Sequence, residues 1–253
     1  MARRRNTNRR RRRGRFVFLY KLLSILVICG VIIAALTLFF RVDSVEIEGN
    51  QRYTTEEIRK ESGVEVGDNL FLMNKYRIAG NLLSKLPYIE QVRISRHLPD
   101  QLVIQVTECT TVLAVTQSGS TWLVSPSGKI VAQAAAADAS QYAVIDGVQM
   151  LSPSVGSSMA VETALSARQE SLLSLLGALE KDGILDQVNA VHLGDASILT
   201  MDYAGRFTVE LAYGADYAYK LQNLQAVIGK LESNETGTIN LLVDGKANFI
   251  PGK

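Results

Sequence analysis

The sequence predicts an α+β protein in which one transmembrane helix precedes an extracytoplasmic body of strands and helices. Three observations lead to this fold class. Nine arginines occupy the first fifteen residues, nineteen uncharged residues follow from Leu22 to Phe40, and segments of strand and helix periodicity alternate after Arg41. The net charge of +2 is an average of two regions, because residues 41–253 hold 17 basic and 25 acidic side chains.

Residues 16–40 are predicted to form an uncleaved transmembrane signal anchor. A helix rises about 1.5 Å per residue, so the uncharged run spans roughly 28 Å, close to the ~30 Å hydrocarbon core of a bilayer. A cleaved signal peptide is the alternative, but it has a shorter apolar region and a small residue at its cleavage site. This run instead ends in Leu38-Phe39-Phe40-Arg41.

The basic residues before the span predict its orientation. Basic flanks stay in the cytoplasm, so residues 1–15 are expected to be a cytoplasmic tail and the body to lie outside, as in a single-pass type II protein of the cell membrane. Each basic residue near an anionic surface contributes about 1 kcal/mol, which favours lipid contact over the alternative, nucleic-acid binding. The arginines expected to contact lipid are Arg9, Arg10, Arg11, Arg12, Arg13 and Arg15.

The first external segment predicts a small two-layer domain with the order β-α-α-β-β. A strand at 42–49 precedes a helix that opens with a capping box at Thr54–Glu57 and ends at Gly63, because the threonine hydroxyl and the glutamate can satisfy each other's amides. A second helix is expected at 74–86 and a hairpin at 89–106, whose alternating apolar face the helices cover. Apolar residues at helical spacing in the second helix are Tyr76, Ile78, Ala79, Leu82, Leu83 and Leu86.

The motifs of this segment follow one another in a characteristic order and spacing. From residue 87 to 108 the pattern is P-Y-I-x-x-V-x-I-x-R-x-x-P-x-x-L-x-I-x-V-x-E, and V-x-I-x-G-N at 45–50 and T-T-E-E-I at 54–58 precede it. This arrangement, directly after a basic-tailed anchor, resembles the FtsQ/DivIB family of bacterial cell-division proteins. The resemblance implies a POTRA domain at 41–108, a β domain at 109–250 and a C-terminal tail at 251–253.

The second external segment predicts a sheet with an open edge and two flanking helices. The resemblance implies that this sheet is antiparallel. The leucine-rich helix at 163–182 is too short for three heptads, so packing on the sheet is favoured over a coiled coil. Lys220, in the second helix, is interpreted as a solvated or pairing residue. A single closing strand with a glycine irregularity is expected at 238–251, with Asn240 where the family has aspartate. Two strands around a Pro/Gly turn are expected at 122–131, and further strands near 142–147, 188–193, 198–203 and 207–211.

The sequence offers little support for catalysis, metal binding or a cofactor. Ser-x-x-Lys, Lys-Thr-Gly, His-Glu-x-x-His and Gly-x-Ser-x-Gly are absent. The two histidines, His97 and His192, belong to no cluster with ligand spacing, although a Ser-His-Asp triad assembled from distant segments stays open. The two cysteines cannot bridge each other, because Cys29 lies in the span and Cys109 lies outside it.

The family resemblance implies a non-enzymatic bitopic scaffold that links early and late proteins of the division septum. The implied partners are coiled-coil division proteins of the FtsB/DivIC and FtsL types and, indirectly, the septal penicillin-binding protein. The implied mechanism is β-augmentation, in which a partner segment adds a strand to the closing edge. The alternative is a membrane-anchored POTRA protein unrelated to division, acting as a sensor, a wall-binding module or a secretion component.

The resemblance also places partner contacts on the closing strand. Val243, Gly245 and Phe249 match the family's contacting positions, and Leu242, Asp244 and Lys246 are their neighbours. The Phe249 ring is expected to anchor the partner, and Gly245 to allow its backbone to approach closely. The alternative, that Phe249 is a core residue and Gly245 merely turns the strand, stays open.

Overall fold

The structure, a computed structural model, describes residues 13–252. A long apolar helix stands at the beginning of this range. Helix α1 spans Arg13–Phe39. Its segment Val17–Phe39 is long and apolar enough to cross a membrane, and within the described chain its surface is uncovered. Arg13 and Arg15 lie in the first turns of α1, whereas Arg9, Arg10, Arg11 and Arg12 lie outside the described residues. Lipid contact by these arginines therefore stays a prediction.

A three-stranded domain follows and has the predicted β-α-α-β-β order. Its elements are β1 (Ser44–Glu48), α2 (Thr55–Ser62), α3 (Lys75–Lys85), β2 (Ile89–His97) and β3 (Gln101–Glu108). The strand order is β1-β3-β2, with β1 parallel and β2 antiparallel to the central β3. Ile58, Ile78, Leu82 and Ile104 are fully buried between helices and sheet, so the two-layer prediction is confirmed.

The capping signals in the sequence determine where the two short helices begin and end. Thr54 Oγ1 accepts from the Glu57 amide at 3.2 Å, and a Glu57 carboxylate oxygen accepts from the Thr54 amide at 2.8 Å, which confirms the predicted capping box. Gly63 ends α2 in the left-handed conformation at φ +67°. The Asn74 side chain caps α3. Tyr76, grouped with the inward-facing residues by its spacing, is instead 90% exposed in the first turn.

A nine-stranded domain forms the remainder. Its strands are β4 (Leu113–Gln117), β5 (Ser120–Val124), β6 (Ile130–Ala134), β7 (Ala143–Asp146), β8 (Val188–His192), β9 (Ile198–Tyr203), β10 (Phe207–Ala212), β11 (Gly237–Asn240) and β12 (Asn248–Pro251). The order across the sheet is β12-β11-β10-β9-β8-β7-β4-β5-β6. The open edge is confirmed, but the sheet is mixed and not antiparallel as expected, because β10–β11, β4–β7 and β7–β8 pair in parallel.

Two helices pack on this sheet, as the amphipathic patterns predicted. They are α4 (Ser166–Lys181) and α5 (Tyr217–Ile228). The α4 residues Leu172, Leu175, Leu176 and Leu179 are fully buried in one continuous core with the sheet. Packing on the sheet is therefore confirmed over a coiled coil. The predicted closing strand at 238–251 is wrong as a single strand, because residues 241–247 turn back and pair β12 with β11.

A lysine in the turn before β6 joins the two domains. Lys129 Nζ donates to the carbonyl oxygens of Leu83 at 2.7 Å and Ile89 at 3.0 Å. Cys109, immediately after β3, is buried at this junction, and burial raises the pKa of its thiol to about 12. Cys109 thus packs at the domain junction, and a thiol with so high a pKa is a poor nucleophile.

Candidate partner-binding edge

Strand β12 forms one edge of the nine-stranded sheet. Within the described part of the chain, β12 pairs only with β11, in the register Asn240↔Asn248 to Gly237↔Pro251. An edge strand of this kind presents unpaired backbone groups to solvent and is a template for strand addition.

The hydrogen-bond alternation shows which groups of β12 face outward. Gly252 donates its amide to the Thr236 carbonyl oxygen at 2.7 Å, so this opposed pair is a bonded one. Bonded and non-bonded pairs alternate in an antiparallel ladder, so Ile250 also bonds to β11. The amide and carbonyl of Phe249 and the carbonyl of Pro251 therefore point to the open side. Proline has no amide to offer, which limits how far a partner ladder can extend.

Gly237 determines how closely β12 can approach β11. Its φ is +153°, and a Cβ at this position would lie 2.2 Å from the Ile250 carbonyl oxygen and 3.0 Å from Pro251 Cα. A side chain here would push the backbone of β12 away. The glycine therefore allows the edge strand to lie against its neighbour.

The turn between β11 and β12 holds most of the residues predicted to contact a partner. Val243, Asp244, Gly245 and Lys246 are exposed in this turn, and Leu242 is half-buried. Gly245 has φ +72°, and among the described residues nothing lies within 4 Å of where its Cβ would be. The positive φ fits the alternative in which Gly245 turns the chain, and close approach by a partner backbone stays a prediction.

A buried lysine forms an ion pair with this turn. Lys220 of α5 is 1% exposed, and its Nζ lies 2.6 Å from an Asp244 carboxylate oxygen. The two atoms form an ion pair rather than an aligned hydrogen bond, and no other acceptor among residues 13–252 satisfies Nζ. Lys220 is thus a pairing residue, and the alternative that it is solvated is wrong. The ion pair fixes the turn that carries the predicted contact residues.

Asn240, for which the resemblance implied an aspartate, pairs with the neighbouring strand. Its side-chain amide donates to a Glu210 carboxylate oxygen at 2.5 Å, and Glu210 is the residue opposite it on β10. An aspartate here would place two carboxylates against each other, so asparagine suits the glutamate across the strand.

Phe249 faces the core side of the sheet. It is half-buried against the hydrophobic core, and its ring meets that of Phe207 edge-to-face at a centroid distance of 6.2 Å. The geometry therefore favours the core alternative for the ring, while the Phe249 backbone faces the open edge. The exposed apolar side chains at this end of the sheet are Ile250 and Val243, at 58% and 55%. Ile250 was not among the predicted contacts, although its alternation with Phe249 in the sequence was a signal that it faces the other way.

Comparisons with known proteins bear on both domains. Residues 40–108 match the family model of the FtsQ-type POTRA domain. The chain is 28% identical to cell division protein FtsQ of Syntrophotalea carbinolica over 77% of its own length and 67% of that protein. It is 28% identical to cell division protein DivIB of Clostridium botulinum strain Hall, over 83% of this chain and 82% of the relative. The resemblance to the FtsQ/DivIB family is confirmed.

A third relative shows a similar identity and coverage. Cell division protein FtsQ of Geotalea daltonii is 27% identical over 79% of this chain and 71% of that protein. The three similarities extend over most of the chain, whereas the family model covers the POTRA domain alone. Residues 40–108 thus form a POTRA domain of the FtsQ type, and most of the chain is similar to proteins named for cell division. The N-terminal apolar helix is suited to a membrane anchor.

One cluster of titratable residues lies apart from the edge, on strands β7, β8 and β9. His192 Nδ1 lies 2.6 Å from Asp146 Oδ2, and Nε2 lies 3.2 Å from Asp202 Oδ2. Burial alone lowers the pKa of His192, but hydrogen bonds to both carboxylates outweigh it and raise the pKa. Both ring nitrogens face carboxylates, so neither is free to activate a hydroxyl as in a Ser-His-Asp triad. Thr208 Oγ1 donates to Asp202 and completes a cross-strand network.

Proposed function

We propose that this chain is a non-enzymatic, membrane-anchored scaffold of the division septum whose β12 edge accepts an extended segment of another division protein. The observation that carries the proposal is that one side of β12, at the end of a nine-stranded sheet, pairs with no strand of residues 13–252. The names of the relatives support a role in division. We infer partners of the FtsB/DivIC and FtsL coiled-coil types, and through them the septal penicillin-binding protein.

The size of the edge sets how the partner must bind. The outward groups of Phe249 and Pro251 provide about three backbone hydrogen bonds, and each contributes roughly 0.5–1.5 kcal/mol net. A micromolar complex needs about 8 kcal/mol, so backbone pairing alone is insufficient. The exposed apolar side chains of Ile250 and Val243 lie in position to add buried area. We therefore infer that the interface includes the 241–247 turn as well as β12, and that Val243, Leu242, Asp244 and Lys246 contact the partner there.

The topology that we propose places this edge outside the cell. The arginine-rich tail stays on the cytoplasmic side against anionic lipid, and α1 crosses the membrane once. A scaffold in this arrangement joins cytoplasmic division proteins to septal wall synthesis outside. His192, held between two carboxylates, contributes to the stability of the sheet rather than to chemistry.

The experiment compares two glycine variants in the full chain, co-expressed with an FtsB/DivIC-type partner. Gly237→Ala introduces a Cβ that collides with the Ile250 carbonyl oxygen and displaces β12. Gly205→Ala is the matched control, because Gly205 also has a positive φ, +63°, but in the described chain nothing lies within 4 Å of its added Cβ. We expect at least about a ten-fold loss of co-purified partner for the first variant only, equivalent to about 1.4 kcal/mol.

A second variant tests the edge without displacing β12 from β11. Ile250→Lys leaves the backbone pairing intact and places a charge on the exposed edge, which is a feature of sheet edges that resist pairing. We expect it also to lose the partner, with an unchanged melting temperature. Undiminished co-purification of both variants would reject β-augmentation at this edge.

Localisation separates the division role from its alternative. A fluorescent fusion on the cytoplasmic tail is expected to form a midcell band in dividing cells, and this band should be lost on Gly237→Ala or on truncation after Gly237. A wild-type protein distributed uniformly over the membrane would instead favour a sensor, a wall-binding module or a secretion component.

A further inference from the structure

Exposed apolar side chains cluster at one end of the POTRA domain, away from the β12 edge. Leu72 is 78% exposed and Tyr76 is 90% exposed, although both are large and apolar or amphipathic. Solvent-exposed clusters of this kind mark interaction surfaces. The cluster, called the proximal patch here, consists of Val66, Phe71, Leu72, Tyr76 and Leu98.

The loop that carries three of these residues is attached to the last turn of α1. Asn69 Nδ2 donates to the carbonyl oxygens of Leu36 at 2.9 Å and Thr37 at 3.4 Å. The Leu70 amide donates to the Phe40 carbonyl oxygen at 2.9 Å. Leu36 lies three residues before the end of the helix at Phe39, which places the Asn69 contact about 4.5 Å below that end.

Aromatic rings continue from the helix into the patch. Phe39 and Phe40 pack edge-to-face at 6.1 Å, and Phe40 packs against Phe71 at 4.9 Å with an interplanar angle of 88°. The three rings therefore form a continuous apolar contact from the end of α1 to the loop. Tryptophan and tyrosine are enriched at the level of the lipid headgroups, and the patch includes Tyr76.

The other members of the patch lie at the same end of the domain. The Asp43 amide, directly after the helix exit, donates to the Asp100 carbonyl oxygen at 2.8 Å, so the β2–β3 turn that contains Leu98 is at this end. Arg96 Nη2 donates to the Met73 carbonyl oxygen at 2.9 Å, which brings the first turn of α3, with Tyr76, to the end of β2.

We propose that the proximal patch lies in the outer interfacial layer of the bilayer, with Phe71, Leu72 and Tyr76 in contact with lipid. The interfacial layer is roughly 5–8 Å thick on each side of the hydrocarbon core, and the patch surrounds the point where α1 leaves that core. The proposal rests on the membrane anchor in the proposed function. Its consequence is that the POTRA domain is held against the membrane by two attachments, the helix and the patch, and is not free to swing on the helix end.

The test uses tryptophan fluorescence of the full chain in phospholipid vesicles whose acyl chains carry bromine, a quencher confined to the bilayer. The single native tryptophan is removed by Trp122→Phe, and Leu72→Trp then introduces a probe in the patch. Leu151→Trp is the matched control, because Leu151 is also an exposed leucine, at 51%, but lies in the nine-stranded domain. We expect about a two-fold loss of emission for the patch probe and none for the control. Tyr76→Trp serves as a second patch probe.

The outcomes separate the patch from the anchor. Vesicle flotation reports the anchor, and co-purification of the FtsB/DivIC-type partner reports the edge. A chain that floats while both patch probes stay as bright as the control overturns the proximal patch and leaves the proposed function intact. A chain that does not float overturns the anchor and the patch together. Quenching of the patch probes with normal partner recovery supports the proposal.

Discussion

Replacing Asp244 by asparagine is expected to destabilise the nine-stranded domain more than removing the lysine that it pairs with. Asp244 is 89% exposed in its side chain, whereas the Lys220 side chain is 2% exposed, and the two charged atoms lie 2.6 Å apart. Asp244→Asn leaves a buried ammonium without its counter-charge. Lys220→Met removes the charge at similar volume and leaves a carboxylate that water already solvates.

The magnitude follows from that separation. Two unit charges 2.6 Å apart attract by about 1.6 kcal/mol even at the dielectric constant of bulk water. Breaking a fully buried pair costs about 3–5 kcal/mol, and the exposure of Asp244 places this pair below that range. We therefore expect Asp244→Asn to cost about 2 kcal/mol of unfolding free energy, or roughly 4–8 °C in melting temperature. Lys220→Met should stay within about 0.5 kcal/mol of the wild type.

Urea unfolding of the full chain in detergent micelles measures both values. Trp122 packs against the core of the nine-stranded domain and is the only tryptophan, so its fluorescence follows this domain. The double variant should recover the stability of Lys220→Met, because no buried charge then lacks a partner. Equal losses for the two single variants, or an unchanged midpoint for Asp244→Asn, would refute the reasoning.

Three further predictions concern strands of the same sheet. Asn240→Asp opposes two carboxylates and should cost about 1 kcal/mol in urea unfolding, which Glu210→Gln in the same chain should restore; no recovery would contradict the pairing. Phe249→Ala should cost about 2 kcal/mol, roughly half the 3–5 kcal/mol of a fully buried ring, and Ile250→Ala much less; equal losses would place the ring outside the core. The raised pKa of His192 means that its protonated form stabilises the fold fully below pH 6.5 and that this contribution is lost as pH rises through the folded pKa. Melting temperatures from pH 5 to 9 should show this loss in the wild type, and His192→Gln should abolish it.

The POTRA domain was predictable because its signals are local. The capping box at Thr54–Glu57, the glycine at Gly63 and the two-residue alternation of the hairpin each act within a few residues of chain. Such signals survive in a single sequence, since they do not depend on what packs against them. The helix at 163–182 was predictable for the same reason, and the structure has α4 at Ser166–Lys181.

The candidate site was predicted less well because it depends on contacts between distant residues. The run from Thr238 to Pro251 was read as one strand with a glycine irregularity, although Asp244-Gly245 is a hairpin signal. The Leu241 amide bonds to the Glu210 carbonyl and Asp244 pairs with Lys220, and both contacts join the run to distant residues. Neither contact is visible in the sequence. A lysine in an amphipathic helix ordinarily faces solvent, and the turn that covers this one lies 24 residues away. The position of Tyr76 was also missed, because helical spacing within α3 does not show that the end of α1 lies nearby.

The nine-stranded sheet also acts as a spacer of fixed length. Its β6 end is the one fastened to the POTRA domain through Lys129, and β12 is the last strand at the opposite end. Eight inter-strand steps of about 4.8 Å separate those strands by roughly 38 Å along the sheet. A membrane-bound partner that docks on β12 must therefore reach sideways or outward over a comparable distance, which corresponds to about 25 residues of helix. In the complex that we propose, strand number as well as edge chemistry thus limits the partners by the length of their extracytoplasmic stalk.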